Sequence, residues 1–459
     1  MKSVALHNLG CKVNGYEMDV MQQMLQEKGY KIVPFDEPAD IYIVNTCTVT
    51  NIADRKSRQM LHRAKKMNPA AVVVAVGCYV QTDEEGVRQD PAIDLAIGNN
   101  RKKDLIDILE NYLRQSDFTG MKEESQENTQ SRQDTCGNLQ KKQWDIIDIN
   151  HTDEYEEMVL KRTAEHTRAY IKIQDGCNQF CSYCIIPYAR GRVRSRKEED
   201  ILQEVIGIVQ AGYQEIVLTG IHISSYGLDR NGSELLQLLQ RLHEIKGLKR
   251  IRLGSLEPRI VTEEFAKQIS AMPKICPHFH LSLQSGCDSV LKRMNRRYDS
   301  REYFQTTELL RTYYDHPAIT TDVIVGFPQE TEEEFQATRE FVQKVNFYEM
   351  HVFKYSKRQG TRAASMEGQI TEAEKGRRSA ILIEAGKQMS HDYRANYIGQ
   401  EVEVLFEDSH EIAGRTYWVG HTPQYVRVAK AADGSDNMKN RIISGSIEGF
   451  LDDEILYMD

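Results

Sequence analysis

A long hydrophobic run is missing from this chain. The residues after Met1 contain no extended apolar stretch of the kind found in signal peptides. The longest apolar run, near Ala70 to Val76, is far too short to span a bilayer. We therefore expect a protein without a signal peptide or a membrane span, located in the cytoplasm.

A positive net charge and an even number of cysteines are missing as well. The formal net charge of −9 and the pI near 5.9 do not indicate nucleic-acid binding by the whole surface, so any RNA contact must rest on local patches. The nine cysteines are an odd number in a chain without an export signal. They favour a reducing compartment and metal ligation over a disulfide framework.

The hydrophobic pattern predicts an α/β protein with three domains and one linker. Residues 1–115 alternate apolar strands with amphipathic helices, which predicts a doubly wound domain with a parallel sheet. Residues 168–396 hold six strand–helix units, which predict a partial (β/α)6 barrel with its chemistry at the carboxyl ends of the strands. Short, glycine-punctuated strands over 397–459 predict a small β-barrel. Residues 116–167 are polar and predict a linker, in which Cys136 is an incidental thiol.

The densest group of cysteines follows the first strand of the predicted barrel. Cys177, Cys181 and Cys184 form a Cys-x3-Cys-x2-Cys array, in which three thiolates can turn inward from one loop. The next candidates, Tyr188 and Arg190, are not soft metal ligands, so a fourth ligand is not evident. Because zinc sites need four ligands, the array favours an iron–sulfur cluster held by three thiolates, with one iron open to a substrate or cofactor. The alternative is a structural zinc loop that borrows a distant ligand.

Three further cysteines share one position relative to the predicted strands. Cys11, Cys47 and Cys78 each lie just past the carboxyl end of a strand in the N-terminal domain. These ends line one edge of an open parallel sheet, where ligands bind. The pattern favours a second three-thiolate cluster over the alternative of three ordinary buried cysteines.

The two cysteine groups resemble those of the radical S-adenosylmethionine (radical SAM) methylthiotransferases. The string from Gln174-Asp175-Gly176-Cys177 through Cys184-Ile185-Ile186-Pro187 to Arg190-Gly191 is similar to that branch in particular. The resemblance implies that the later three cysteines hold a 4Fe-4S cluster that cleaves SAM, and that the earlier three hold an auxiliary 4Fe-4S cluster. It also implies insertion of a methylthio group into an unactivated C–H bond without a side-chain acid or base. Residues 397–459 resemble a TRAM domain, an RNA-binding module.

The same resemblance places S-adenosylmethionine at the strand ends of the barrel. Gly220 follows the second predicted strand, Glu257 follows the third, and Gln284 ends the fourth. Gly220 would permit close approach of a ligand, although a tight turn is an equal alternative. Glu257 would hydrogen-bond hydroxyls or an ammonium group. These three residues are the predicted SAM pocket.

The substrate implied by the resemblance is tRNA. The strings Leu9 to Asn14 and His278 to Gln284 are most similar to the branch that acts on N6-threonylcarbamoyladenosine next to the anticodon, although Gly15 stands where that branch is expected to have Gln. Isopentenyladenosine in tRNA and an aspartate of a ribosomal protein are alternative substrates. The implied partners are tRNA, an external electron donor and a sulfur source, and no membrane.

A non-catalytic, metal-containing RNA-binding protein is the alternative from another class. Such a module needs neither six barrel units nor the strand-end motifs, so the sequence favours an enzyme. Candidate RNA contacts are three basic clusters and three aromatic side chains. They are residues 55–66, 190–197 and 292–297, and Tyr417, Trp418 and Tyr425. The alternative for the basic clusters is an ordinary solvated surface, and the equal alternative for the aromatic side chains is the core of the small barrel.

Overall fold

The computed structural model describes residues 2–123, 142–161, 167–230, 232–432 and 437–459. The chain forms two compact units. The first consists of Met1–Leu160, Asp175–Asn178 and Ile185–Arg194, and the second of Lys161–Gln174, Gln179–Cys184 and Ser195–Asp459. Cys136 lies outside the described residues. The three predicted domain boundaries stay predictions.

A parallel sheet forms the centre of the first unit. The strand order is β2-β1-β3-β4-β5-β6, and every neighbouring pair is parallel, as predicted for an α/β domain. The central strands are fully buried because their residues are almost all apolar. The strands are β1 Ser3–Asn8, β2 Lys31–Val33, β3 Ile41–Thr46, β4 Val72–Gly77, β5 Leu95–Ile97 and β6 Gln143–Asp145.

The helices of the first unit follow the strand ends. They are α1 Lys12–Glu27, α2 Asn51–Met67, α3 Cys78–Thr82, α4 Glu84–Gln89, α5 Leu105–Glu123 and α6 Ile186–Arg190. Thr50 caps the N-terminus of α2. The Thr50 side chain accepts a hydrogen bond from the Ala53 backbone N–H at 3.1 Å, because Thr50 keeps the extended backbone that a capping residue needs.

Part of the predicted linker is folded. β6 pairs with β5 at the edge of the sheet, and Trp144 packs against the core of the first unit. Further along, the buried hydroxyl of Tyr16 donates to the Met158 backbone carbonyl. A three-residue edge strand is too short and too polar to be recognised from its own sequence, since its pairing partner lies far along the chain.

The second unit contains the six barrel strands in the predicted order. β8-β7-β9-β10 form one sheet and β11-β12-β13 another. Isolated parallel bridges, Ile251 to Ile275 and Leu256 to Leu281, join the β10 region to the β11 region. The predicted partial barrel is confirmed. The strands are β7 Ala169–Asp175, β8 Arg194–Ser195, β9 Glu215–Gly220, β10 Arg250–Leu253, β11 His278–His280, β12 Ala318–Val325 and β13 Glu349–Lys354.

Helices cover these strands, and two of them carry reciprocal capping boxes. The side chains of Asp299 and Thr331 each accept from the backbone N–H of the third helical residue, and the glutamate side chain of that residue accepts from the backbone N–H of the cap. The helices are α7 Glu198–Gln210, α8 Leu235–His243, α9 Glu263–Ser270, α10 Asp288–Arg293, α11 Ser300–Tyr313, α12 Glu332–Val345 and α13 Glu372–Ala395. Within the described residues, no helix combines the length and the apolar character that a membrane crossing requires.

The second unit ends in a small closed barrel of five strands, in the order β14-β15-β16-β18-β17. The predicted C-terminal β-barrel is therefore confirmed. Its core is continuous with the (β/α)6 barrel, since Ala318 and Tyr348 pack in the same apolar cluster as Val404 and Val428. The strands are β14 Glu401–Ile412, β15 Arg415–His421, β16 Arg427–Ala431, β17 Ile442–Phe450 and β18 Leu456–Met458.

Candidate functional site

Three cysteines come together at the carboxyl edge of the parallel sheet in the first unit. Cys47 Sγ lies so close to Gly10 that a side chain at Gly10 would sit 3.1 Å from the sulfur, and Gly10 has a φ of +107°. The pKa of the Cys47 thiol is raised to about 11, mainly by burial, and the nearby Cys78 and Cys11 thiols contribute in the same direction. The strand ends thus bring the three thiols close enough to interact electrostatically.

Arg190 lies at the centre of this group of thiols and is completely buried. Its Nε donates to Cys78 Sγ at 3.2 Å, and its Nη2 donates to Asn14 Oδ1 at 2.6 Å. Both Nη atoms also contact the Glu17 carboxylate, at 2.5 and 3.1 Å. Arg190 follows the Cys177–Cys184 array in sequence, but its side chain therefore lies beside the other group of cysteines, Cys11, Cys47 and Cys78.

A second buried cation supports the same site. Lys102 donates to Asn99 Oδ1 at 2.6 Å and lies 3.2 Å from the Glu17 carboxylate. Asn99 Nδ2 in turn lies 3.6 Å from Cys78 Sγ and donates to the Ala189 backbone carbonyl at 2.7 Å. The thiol of Cys78 therefore faces N–H groups from two different segments of the first unit.

The Cys-x3-Cys-x2-Cys array is divided between the units. Cys177 belongs to the first unit, where its backbone N–H donates to the Gly191 carbonyl at 3.0 Å. Gly176 has a φ of +73°, and a side chain there would collide with the Arg192 carbonyl. Cys181 and Cys184 belong to the second unit, where a tight turn connects them through a 3.0 Å backbone hydrogen bond.

Arg296 contacts the Cys181 sulfur in the second unit. Its Nη1 donates to Cys181 Sγ at 3.2 Å, and its Nε donates to the Tyr298 hydroxyl at 3.0 Å. That hydroxyl donates to the backbone carbonyl of Leu283 at 2.8 Å, directly before Gln284. The cysteine loop is thus linked to the carboxyl end of the β11 region.

The three predicted SAM-pocket residues lie at the expected strand ends, in different environments. A side chain at Gly220 would sit 3.0 Å from the Gln174 backbone oxygen, so close strand packing already explains this glycine. Burial raises the pKa of the Glu257 carboxyl, and the Arg296 guanidinium opposes that shift. Gln284 has a φ of +70°, which is costly for a residue with a side chain and is typical of functional sites.

Three of the five basic side chains in the cluster at 190–197 are buried and cannot contact RNA, whereas Arg192 and Lys197 are exposed. Arg190, Arg194 and Arg196 are at most 1% exposed, because they are bound by carboxylates and carbonyls inside the protein. Arg196, for example, pairs with Glu204, and Arg194 Nη2 donates to the Arg190 carbonyl at 3.0 Å. A run of arginines in sequence therefore does not identify a surface patch here.

The two other basic clusters, at 55–66 and 292–297, contain several exposed basic side chains. On α2, five basic side chains are exposed: Arg55, Lys56, Arg58, Arg63 and Lys66. In the third cluster Lys292 and Arg297 are exposed, whereas Arg293 pairs with Glu334 at 2.6 Å.

Most of the aromatic candidates in the small barrel are engaged within the protein. Tyr417 is buried in an apolar cluster. The ring of Tyr425 stacks on His421 at 4.4 Å and lies under the guanidinium groups of Arg168 and Arg252 at 4.8 and 4.7 Å. Trp418 packs against the barrel core. Tyr417 is therefore a core residue of the small barrel, which was one of its two predicted alternatives.

Three thiols with N–H groups directed at one of them are a donor set that an iron–sulfur cluster can use at Cys11, Cys47 and Cys78. In the part of the chain that the structure describes, no three Cys, His, Asp or Glu side chains surround one point as the ligands of a single metal ion do. A cluster of four irons takes one thiolate per iron and accepts ligands that are further apart. The N–H groups directed at Cys78 are of the kind that stabilise a ligating sulfur.

Sequence reasoning identified the cysteines but not the residues around them. Arg296 appeared only as a member of a basic cluster, Arg190 was not connected with the N-terminal cysteines, and Glu17 and Lys102 were not singled out. Arg190 carried one usable signal, since it lies directly before Gly191 in the motif that follows Cys184.

Two segments of the chain match known protein families. Residues 171–342 match the Radical SAM superfamily, and residues 3–98 match the Uncharacterized protein family UPF0004. Among solved structures, the radical S-adenosylmethionine methyltransferase TsrM of Kitasatospora setae superposes with a TM-score of 0.53 and 14% identity, covering 77% of this chain and 73% of that one. This likeness concerns the fold.

Relatives match along nearly the whole chain. Threonylcarbamoyladenosine tRNA methylthiotransferase MtaB of Bacillus subtilis is 38% identical over 97% of this chain and 94% of its own. The protein of the same name in Aquifex aeolicus is 37% identical over 90% of this chain and 95% of its own. The tRNA-2-methylthio-N(6)-dimethylallyladenosine synthase of Moorella thermoacetica is 35% identical over 90% of both chains.

Proposed function

Because this chain belongs to the tRNA methylthiotransferase family of radical SAM enzymes, we propose that it methylthiolates C2 of the adenine in N6-threonylcarbamoyladenosine, next to the tRNA anticodon. The observation that carries this proposal is the near full-length match to relatives named for that nucleoside. The Bacillus subtilis and Aquifex aeolicus relatives named for that nucleoside are 38% and 37% identical, and the Moorella thermoacetica relative named for dimethylallyladenosine is 35% identical. The strings at Leu9–Asn14 and His278–Gln284 favour the same choice.

We propose that six cysteines hold two 4Fe-4S clusters. Cys177, Cys181 and Cys184 would hold the cluster of the radical SAM domain, and Cys11, Cys47 and Cys78 the auxiliary cluster. When bound, the clusters and S-adenosylmethionine supply the electron transfer, the radical chemistry and the transferred groups. The side chains of this chain bind and orient them, and none is assigned as an acid or base for hydrogen abstraction.

The contacts of the second unit support a role for Arg296 and Tyr298 in orienting the radical SAM cluster loop. Arg296 binds Cys181 Sγ and is itself held by the Tyr298 hydroxyl. The Tyr298 hydroxyl in turn binds the backbone before Gln284. Glu257 and Gln284 are the proposed contacts to SAM, and Gly220 lies at the neighbouring strand end.

The proposed reaction needs three partners: tRNA, an electron donor and a sulfur source. The exposed basic side chains of α2, which begins shortly after Cys47 in sequence, are the proposed contacts to tRNA phosphates, and the C-terminal barrel is the second proposed RNA contact. An external low-potential electron donor and a sulfur source complete the reaction. A cytoplasmic location accords with a tRNA substrate.

Nucleoside mass spectrometry of tRNA from cells that lack this chain tests the proposal. We expect 2-methylthio-N6-threonylcarbamoyladenosine to disappear and its unthiolated precursor to accumulate. Plasmid-borne wild type and the Cys276→Ala variant should restore the modification, whereas Cys181→Ala should not. Cys276 is the matched control because it is a buried thiol outside both cysteine groups.

The same spectra decide between the alternatives. Loss of the methylthiolated dimethylallyl nucleoside instead would reassign the substrate within tRNA. An unchanged tRNA profile in a cell without a redundant enzyme would contradict a tRNA substrate and redirect the search to ribosomal proteins.

A further inference from the structure

The guanidinium of Arg190 uses all of its hydrogen-bonding capacity inside the first unit. An arginine has five N–H donors in a fixed planar fork. At Arg190 they reach Cys78 Sγ at 3.2 Å, Asn14 Oδ1 at 2.6 Å, the Asp175 carboxylate at 3.3 Å and both oxygens of Glu17. Four residues on three segments therefore determine the orientation of the Nε–H toward the sulfur, since Asn14 and Glu17 share α1.

Buried carboxylates balance the positive charge of Arg190. Glu17 is buried between two cations, with Arg190 on one side and Lys102 at 3.2 Å on the other. Asp175 adds a second carboxylate to the guanidinium. A lysine at position 190 would keep the charge but would not bind Cys78, Asn14 and both Glu17 oxygens in one plane. This arrangement requires arginine for its geometry as well as for its charge.

We propose that Arg190 sets the reduction potential of the auxiliary cluster through its Nε–H···Sγ contact with Cys78. The inference rests on the proposed function, because it assumes that Cys78 is a cluster ligand. Reduction adds one electron and makes the cluster one charge more negative, and no bond forms or breaks and no proton moves. A hydrogen bond and a cation at a ligating sulfur stabilise the more negative state and raise the potential.

The test uses full-length protein in which only the auxiliary cluster can assemble. The triple variant Cys177→Ala, Cys181→Ala and Cys184→Ala is reconstituted without oxygen, and its iron content is measured. The midpoint potential is then determined by mediated titration and electron paramagnetic resonance. Arg190→Lys and Glu17→Gln are introduced separately into this background. Arg196→Lys is the matched control, since Arg196 is equally buried and pairs with Glu204 in the second unit.

The two site variants should shift the potential in opposite directions. Arg190→Lys weakens the N–H···S contact, so we expect the equilibrium constant for reduction to fall at least about tenfold, which is 59 mV for one electron. Glu17→Gln removes a negative charge beside the guanidinium, so the potential should rise. Arg196→Lys should leave the potential unchanged. A merely structural role for Arg190 does not predict opposite signs.

Three results would overturn the inference. Unchanged potentials in both site variants would show that the contact does not tune the cluster. Shifts of the same sign, or equal loss of iron in both variants, would show that Arg190 only maintains the fold. An absence of iron in the triple variant itself would overturn the auxiliary cluster of the proposed function as well, which separates the two failures.

Discussion

Arg296 and Arg190 occupy comparable positions in the two units. Each donates one N–H to a cysteine sulfur at 3.2 Å, to Cys181 and Cys78 respectively. Arg190 is additionally held by carboxylates, whereas Arg296 is held by the hydroxyl and the ring of Tyr298, 4.8 Å from the guanidinium carbon. Tyr298 carries no charge, and the Arg296 guanidinium acts instead on the Glu257 carboxyl, whose upward pKa shift it opposes.

We expect Arg296→Gln to slow reductive cleavage of SAM by ~10–100-fold, the usual effect of losing a group that orients a metal ligand. The reconstituted enzyme is incubated with dithionite and SAM, and 5′-deoxyadenosine is quantified together with iron. Arg293→Gln is the control, because Arg293 lies on the same segment but pairs with Glu334. Equal rates of SAM cleavage in wild type and Arg296→Gln would contradict the role of Arg296 in orienting a cluster ligand.

The cysteine assignments predict a simple pattern of iron content. Replacing any one of the six proposed ligands by alanine should remove one cluster, so that iron falls from about eight to about four atoms per chain. Cys276→Ala should retain the full content. Iron analysis with Mössbauer spectroscopy measures this, and a variant in the Cys11, Cys47 and Cys78 group with full iron would exclude that residue as a ligand.

At the level of elements, the N-terminus of α12 combines a capping box with an ion pair. Thr331 and Glu334 exchange hydrogen bonds, and Glu334 also accepts from Arg293 at 2.6 and 2.9 Å and from the Ser289 hydroxyl. The Arg293 hydrogen bond is the main reason that the pKa of the Glu334 carboxyl falls to about 2. The ionised carboxylate therefore connects α12 to α10, which carries the residues before Arg296.

Glu334→Gln should lower the free energy of unfolding by about 1 kcal/mol at pH 7, a value reduced for solvent screening. Because the folded pKa lies below the unfolded value, this contribution is present above about pH 4.5 and is lost as the pH falls toward 2. Urea unfolding followed by circular dichroism at several pH values measures the difference. A gap between wild type and variant that widens on acidification would contradict the assignment.

At the level of the whole molecule, the second unit joins the two barrels through shared buried contacts. Arg250 Nη1 donates to the His421 carbonyl at 3.0 Å, and Arg252 Nη1 donates to the Pro423 carbonyl at 2.8 Å. Both arginines also pair with the buried carboxylate of Glu215. The small barrel is therefore part of the structure that supports the strands of the radical SAM domain.

Removal of residues 397–459 should prevent the second unit from folding as a soluble species. The deletion exposes the apolar face around Ala318 and Tyr348 and leaves Arg250 and Arg252 without their carbonyl partners. We expect aggregation of the truncated chain in size-exclusion chromatography with light scattering. In the intact chain, limited proteolysis should not cut between Ala395 and Glu401. A soluble, iron-loaded chain of residues 1–396 would show that the small barrel is independent.

Much of this architecture was predictable because its signals are local. Apolar runs such as Val72–Gly77 and helical periodicity such as Glu332–Val345 lie within single elements, so the parallel sheet and the partial barrel followed from the alternation of strands and helices. The cysteine groups were recognisable because the spacing of Cys177, Cys181 and Cys184 is local and the other three each follow a strand.

Long-range packing determined what the local pattern left open. Arg190 binds Glu17 across 173 positions of sequence, and Arg252 reaches the small barrel across 171. A charged residue in sequence carries no record of its partner or its burial, so the arginines at 190–197 were indistinguishable from a surface patch. Their burial depends on which carboxylates the sheet order brings to them, and this depends on the folding of the whole unit.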